Sequence, residues 1–237
     1  MGARRFLAAD LALSAMVAAD GKSVFIGSTT GYGSILTRRW LTASAKEEKI
    51  GDMFQGFTSL INISKDGRFL FVNGQDQKTG FDIYYLDLQG DKKLVPFLTS
   101  SYGEYTATLS PDNKWLAYVS DETGRPEVYV TPFPGGGAKW QASTTGITLR
   151  DVFATLYWSP DGKNLRYQLG DKILNVEIHL NLDKMDFSLA KDLVNLQPNA
   201  LVVAILPDGK RTLVAQTTGD HTESPIDLIQ NWRHLVQ

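Results

Sequence analysis

The chain has 237 residues, and its 24 lysines and arginines nearly balance its 26 aspartates and glutamates, for a formal net charge of −2. A general nucleic-acid binder would carry a basic excess, so nucleic acid is not an expected partner. The chain has no cysteine, which excludes disulfides, thiolate nucleophiles and cysteine-ligated zinc.

The first apolar stretch, residues 11–19, follows Arg4 and Arg5, as the core of a secretory signal would. Asp10 interrupts the apolar residues that run from Arg5 through this stretch, Asp20 closes it, and a carboxylate in a signal core opposes insertion. No window reaches the roughly 18 apolar residues of a membrane helix. We therefore interpret this segment as a folded strand, with no convincing signal peptide, and expect no membrane insertion by this chain.

A short turn tag recurs five times along the chain, with its aspartates 46, 46, 49 and 47 residues apart. All five copies have aspartate in second place and a basic residue in fourth, four have glycine between them, and three begin with proline. Proline presets an early turn position, aspartate caps the turn, and glycine takes a positive φ. Asn113 replaces glycine in the third copy, and asparagine is the other residue that tolerates the left-handed region. Each copy predicts a tight reversal at one of five aspartates: Asp20, Asp66, Asp112, Asp161 and Asp208.

Apolar runs are spaced regularly around each tag. One run precedes the tag, a second follows it, and a third begins 12 to 20 residues after the aspartate, with a weaker fourth run behind it. Four short strands in 40–50 residues, repeated in tandem, are typical of propeller blades. One such sheet cannot cover both of its apolar faces, whereas neighbouring blades can.

We therefore predict an all-β fold, a β-propeller of four-stranded antiparallel blades. A single domain covers residues 1–237, with blades centred on the five tag aspartates. Two alternatives for the ring stay open. It closes with about five blades, residues 6–11 supplying the missing outer strand, or the chain is part of a larger ring and a fragment of a longer protein.

Three segments, residues 109–118, 121–135 and 158–163, resemble the WD40-like repeats of TolB-type propellers. More closely, together with residues 224–232, they are similar to the C-terminal propeller region of bacterial membrane serine/threonine kinases of the acidobacterial type. The resemblance implies a sensing or scaffolding module without cofactor, in a periplasmic or extracytoplasmic location. The chain contains no His-Arg-Asp loop, no Asp-Phe-Gly and no glycine-rich phosphate loop, so any kinase activity would lie outside it.

No catalytic or metal-binding constellation is predicted. The three histidines, His179, His221 and His234, lack the spacing of metal ligands. Ser188 and Lys191 fit Ser-x-x-Lys and residues 78–80 read Lys-Thr-Gly, as in penicillin-recognising enzymes, but the order along the chain is reversed. We interpret this match as a coincidence.

Binding residues are expected in the loops on the face opposite the tags. In a propeller, the loops from second to third strand and from blade to blade share that face, and loops on a rigid scaffold commonly carry binding. Aromatic residues beside charges suit recognition of a protein or peptide. The sequence thus predicts a monomeric, non-catalytic propeller with a protein or peptide partner and six candidate binding residues: Tyr102, Glu104, Tyr105, Arg125, Arg150 and Asp151.

Two other functions stay open at this point. Prolyl-oligopeptidase-type peptidases carry a similar propeller that gates access to a hydrolase domain, and here that domain would lie outside this chain. A propeller enzyme with an active site in the central channel is the other alternative. It requires carboxylates such as Glu104 and Asp151 to converge on one pocket.

Overall fold

The computed structural model describes residues 11–30, 33–42, 44, 46–54, 58–148, 151, 156–181, 184–198, 200–205 and 212–216. All regular structure in these residues is β, in antiparallel pairs, and no helix occurs in them. In particular, this part of the chain holds no helix that could cross a bilayer. The predicted all-β class is confirmed.

Three four-stranded antiparallel sheets follow one another along the chain, each with its strands in sequence order. We call them blades 1 to 3. Blade 1 contains β1 (Leu11–Val17), β2 (Ser23–Thr30), β3 (Gly33–Trp40) and β4 (Glu47–Phe54). Blade 2 contains β5 (Thr58–Ile63), β6 (Phe69–Asp76), β7 (Gly80–Asp87) and β8 (Val95–Leu98). Blade 3 contains β9 (Glu104–Leu109), β10 (Trp115–Ser120), β11 (Glu127–Pro132) and β12 (Trp140–Gln141).

Blade 4 has an outer strand in two pieces. Its inner strands are β13 (Leu156–Trp158) and β14 (Asn164–Leu169), followed by the long β15 (Lys172–Asn181). Both β16 (Lys184–Phe187) and β17 (Lys191–Asn195) pair with β15 in antiparallel fashion, one along each half. The break between them contains Ser188, whose hydroxyl accepts the Glu177 N–H at 2.9 Å and donates to the Leu189 carbonyl. Ser188 thus has a structural role at a strand interruption.

Blade 5 is described only as the hairpin of β18 (Ala200–Ile205) and β19 (Thr212–Gln216). Five features named in the sequence lie wholly or largely outside the described residues: the tag at Asp208, the candidate closing strand at residues 6–11, the tail 224–232, His221 and His234. The alternatives of a closed five-bladed ring and a part of a larger ring therefore stay open.

The apolar cores lie between the blades. Leu70 and Val72 of β6 pack toward blade 1, whereas Phe71 on the same strand packs toward Leu116 of blade 3. The largest core joins blades 3 and 4 and includes Val128, Trp158 and Tyr167. The innermost strands of successive blades touch one another, β1 with β5, β5 with β9, and β9 with β13. Each blade thus covers its neighbour's apolar face, which is the reason for stacking that the repeat predicts.

The tags form the same hydrogen-bonded turn in blades 2, 3 and 4. A serine two residues before the aspartate donates to its Oδ1, at 2.6, 2.7 and 2.5 Å, respectively. That serine hydroxyl also accepts the backbone N–H five residues ahead of it, at 2.8–2.9 Å. Blade 1 has Ala18 in place of the serine and retains the bond from the Lys22 N–H to Asp20 Oδ1. The aspartates therefore serve the turn.

The residue after each described tag aspartate has a positive φ. The values are 66° at Gly21, 73° at Gly67, 61° at Asn113 and 71° at Gly162. The prediction that Asn113 takes the place of glycine because it tolerates the left-handed region is confirmed.

This conformation predicts the outcome of two substitutions at Gly162. Gly162→Val is expected to lower the free energy of unfolding by about 1–2 kcal/mol, because a β-branched residue is strained at positive φ. Gly162→Asn is expected to change it by less than about 0.5 kcal/mol, because Asn113 adopts the same φ and a Cβ at 162 would meet only Pro111, at 3.7 Å. Urea unfolding of the two variants measures both values. An equal loss of unfolding free energy in the two variants would show that positive φ at residue 162 is not the cause.

Candidate functional site

The candidate site lies on the face opposite the tags, which we call the loop face. Loops from different parts of the chain adjoin there, as predicted. The Asp121 N–H, after β10, donates to the Gly103 carbonyl before β9, and the Gly170 N–H, after β14, donates to Asp151 at 2.8 Å. In blades 3 and 4, the loop that leads into the blade thus adjoins the loop after its second strand.

Tyr102 is an exposed aromatic side chain of this surface. Its residue is 46% exposed, on the loop that joins blades 2 and 3. The backbone beneath it is held in place, because its own N–H donates to Ser100 Oγ at 3.1 Å and the next N–H, of Gly103, donates to Asp121 Oδ1 at 2.9 Å. The ring is therefore presented on an ordered loop, which lowers the entropy cost of using it in binding.

Glu104 lies beneath that loop and is buried. Its residue is 3% exposed, Ser100 Oγ donates to Oε1 at 2.5 Å, and Oε2 has no hydrogen-bond partner among the described residues. Burial raises the pKa of Glu104 to about 7, with smaller contributions from the negative charges of Asp82 and Asp121, while the Ser100 hydrogen bonds oppose the rise. A side chain this deeply buried shapes the loop rather than contacting a partner directly.

Tyr105 and Asp121 fasten the neighbouring loop to the same place. The Tyr105 hydroxyl donates to Asp121 Oδ2 at 2.8 Å, and its ring lies 5.6 Å from that of Phe81 in blade 2. Gly103 is required here, because a Cβ on it would lie 2.6 Å from the Tyr105 ring. Burial, aided by the Asp121 carboxylate, raises the pKa of Tyr105 to about 12, so this hydroxyl stays protonated and keeps donating.

Arg125 lies farther along the loop face, and its side chain is 58% exposed. Its Nε donates to Glu127 Oε1 at 2.9 Å and its Nη2 to the Thr144 carbonyl at 2.6 Å. Glu127 is 1% exposed and also accepts hydrogen bonds from Ser143 Oγ and the Gly146 N–H. The guanidinium is thus oriented by a buried carboxylate, with part of its surface left to solvent.

Asp151 is the counterpart of Glu104 in the next blade-joining loop. It is 2% exposed, and its Oδ2 accepts from Thr148 Oγ1 at 2.6 Å as well as from Gly170. Its other oxygen has no partner among the described residues. Glu104 and Asp151 accept hydrogen bonds from different groups, so nothing in the described residues supports a shared catalytic pocket. Arg150 lies outside the described residues.

Two buried amides strengthen the joints between blades, and sequence reasoning missed both. Asn73 Nδ2 donates to the Glu104 carbonyl of β9 at 2.7 Å. Gln168 donates to the Ala200 carbonyl of β18 and accepts the Val202 N–H, both at 2.9 Å. Both residues lie seven positions after a tag aspartate, a shared offset that could have identified them.

Comparison with known proteins identifies the architecture. No family model and no curated protein matches the sequence. Among solved structures, the chain resembles TolB from Acinetobacter baumannii, with a TM-score of 0.54 and 18% identity over 86% of this chain and 56% of that one. It also resembles a chain of the nidogen/laminin complex, with a TM-score of 0.54 and 9% identity over 88% of this chain and 81% of that one. A third similar structure is prolyl oligopeptidase B from Galerina marginata, with a TM-score of 0.50 and 12% identity over 78% of this chain and 27% of that one.

The fold is a β-propeller of four-stranded antiparallel blades. Likeness at these identities shows the architecture alone. The chain spans little more than half the length of the TolB that it matches. What these proteins bind or catalyse therefore bears on this chain only as a proposal.

Proposed function

We propose that this chain is a non-catalytic propeller module that binds a protein or peptide through its loop face. One observation carries the proposal. An exposed tyrosine, Tyr102, is held on a loop whose backbone is anchored to Ser100 and Asp121, above the buried Glu104. Aromatic anchors on rigid loops contribute strongly to protein recognition, and the oriented guanidinium of Arg125 adds a charge elsewhere on the same face.

The described residues give no separate support to a catalytic role. The Lys-Thr-Gly segment has a structural explanation, because Thr79 Oγ1 donates to the buried Asp82 at 2.7 Å. That carboxylate also accepts the Tyr84 hydroxyl, and burial raises its pKa. The proposal therefore assigns no enzyme activity to this chain. Turnover of ester, peptide or glycoside substrates by the purified chain would contradict it.

The binding role can be tested with peptides selected from a random display library on the immobilised chain. We expect Tyr102→Ala to weaken the Kd of most selected peptides by about tenfold or more, which is the effect of losing an aromatic hot spot. Titration of each peptide by isothermal calorimetry measures the Kd.

Leu193→Ala is the matched control, because Leu193 is 45% exposed, against 46% for Tyr102, but lies on the outer strand of blade 4. It is expected to leave the Kd unchanged. If no selected peptide bound Tyr102→Ala more weakly than the unmodified chain, the loop face would not be the binding surface.

A gating propeller of a prolyl-oligopeptidase-type peptidase is the second candidate, favoured by the fold likeness to prolyl oligopeptidase B. It requires a hydrolase segment in the same gene. A sensing role in a signalling kinase requires instead a kinase and a membrane helix in that gene. The coding sequence on either side of this chain distinguishes the two.

A further inference from the structure

A cleft opens between blades 3 and 4 on the tag face, away from the loop face. Its volume is about 470 Å³, which is within the range of small-ligand and peptide side-chain sites. Its wall is largely apolar, because β15 runs on past the core of blade 4 and pairs there with β16. This extension leaves Leu180 53% exposed beside the cleft. The apolar wall is formed by Trp115, Trp158, Ile178, Leu180 and Met185.

The joint between the preceding tags explains why this cleft is open. Between blades 2 and 3, the Asn113 side chain spans the gap, with Nδ2 2.7 Å from Asp66 Oδ2. Between blades 3 and 4 the equivalent residue is Gly162, which has no side chain to donate to Asp112. Within the described part of the chain, no donor contacts Asp112 Oδ2. Glycine at 162 thus leaves Asp112 Oδ2 available, and a Cβ there would meet only Pro111, at 3.7 Å.

The charges at the cleft mouth favour a cation. Asp112 and Asp161 stand on opposite sides, each on its tag, and among the described residues Lys163 is the one basic residue of the lining. Lys114 follows Asp112 and Lys163 follows Asp161 at the same spacing, but Lys114 is not part of the described lining. The lining itself therefore carries two carboxylates and one ammonium group. A ligand with an apolar group for the tryptophan wall and a cation for Asp112 would complement both parts of the cleft.

We propose that this cleft binds an extended peptide segment in which an aromatic or aliphatic side chain is followed by arginine or lysine. The apolar side chain enters between Trp115 and Trp158, and the cation reaches Asp112 at the mouth. Pro111 and Pro160 flank the cleft on the two tags, and its wall includes two tryptophans. Aromatic-lined grooves are a common way of binding extended peptides. This second site is independent of the loop face.

The indole N–H signals of the two lining tryptophans provide a direct test in ¹⁵N–¹H spectra of the full chain. N-acetyl-Phe-Arg-amide is expected to shift the signals of Trp115 and Trp158 in a saturable manner, and to leave that of Trp40 in blade 1 unchanged. N-acetyl-Phe-Gln-amide is expected to bind about two- to fivefold more weakly, as the loss of one exposed ion pair predicts. Asp112→Asn should reduce the affinity for the arginine peptide by a similar factor.

Gly162→Asn is the decisive variant, because it builds into this cleft the side chain that closes the neighbouring one. It is expected to lower the affinity for the arginine peptide by about tenfold or more, because the new side chain fills the space and donates a hydrogen bond to Asp112 Oδ2. Gly21→Asn is the matched control, at the same tag position with φ 66° and open space around a Cβ, and should not change the affinity. Unchanged binding in Gly162→Asn, or no shift of Trp115 and Trp158, would overturn the proposal. Phenethylamine binding more tightly than the peptide would overturn it in favour of a small-molecule site.

Discussion

Replacing Trp158 by alanine is expected to lower the free energy of unfolding by about 3–5 kcal/mol, the largest effect foreseen for any single change. Trp158 is 8% exposed and belongs to the core between blades 3 and 4. Its indole N–H donates to the Thr108 carbonyl of β9 at 3.1 Å, so the variant loses packing and leaves a buried carbonyl without its donor. Urea unfolding monitored by circular dichroism measures the change.

One further substitution separates packing from hydrogen bonding, and another serves as a control. Trp158→Phe keeps an aromatic ring but removes the donor, so its free energy of unfolding should lie between those of the unmodified chain and the alanine variant. Leu189→Ala changes a residue that is 84% exposed and should alter stability by less than about 0.5 kcal/mol. If Trp158→Ala behaved like Leu189→Ala, the inter-blade packing described here would be wrong.

Glu104→Gln is expected to stabilise the fold at high pH and to have little effect at low pH. Burial raises the pKa of Glu104 in the folded chain to about 7, above its ordinary value of 4.5. The unfolded chain therefore loses this proton first as the pH rises. The contribution of Glu104 to stability is complete below about pH 4.5 and is lost progressively as the pH rises to 7 and beyond. The neutral isostere avoids that loss, so the variant should be more stable by about 1–3 kcal/mol at pH 8.

Urea unfolding at pH 5 and pH 8 measures this difference between the two chains. Ser100→Ala extends the test, because Ser100 donates to the Glu104 carboxylate and lowers its pKa. Its removal should raise the pKa of Glu104 further and increase the loss of stability at pH 8. A Glu104→Gln variant whose stability changed equally at both pH values would show that the carboxylate ionises freely in the folded chain.

The local features of the tags were predictable from the sequence because they depend on residues close together in the chain. Proline, aspartate and glycine have conformational preferences of their own, and the positive φ of Asn113 follows from its residue type. Strand positions followed from short apolar runs on either side. Trp158 was predicted to lie between sheets, and its burial confirms this.

The environment of each candidate residue could not be predicted in the same way. Tyr102 and Glu104 are two residues apart and both looked suitable for recognition, yet one is exposed and the other buried. The difference depends on Ser100 and on the contacts of Asp121 from a separate loop. Such contacts leave no periodic signal in the sequence.

The sequence by itself determined the β-sheet repeat, the positions of the turns and the face on which each loop lies, because turn chemistry and alternating burial act within a few residues. Only the tertiary structure decided which carboxylates are buried, which blades are joined by amide side chains and where a cleft remains. Those outcomes depend on residues roughly one repeat apart, such as Asn113 with Asp66 and Trp158 with Thr108, whose contacts exist only once neighbouring blades have packed.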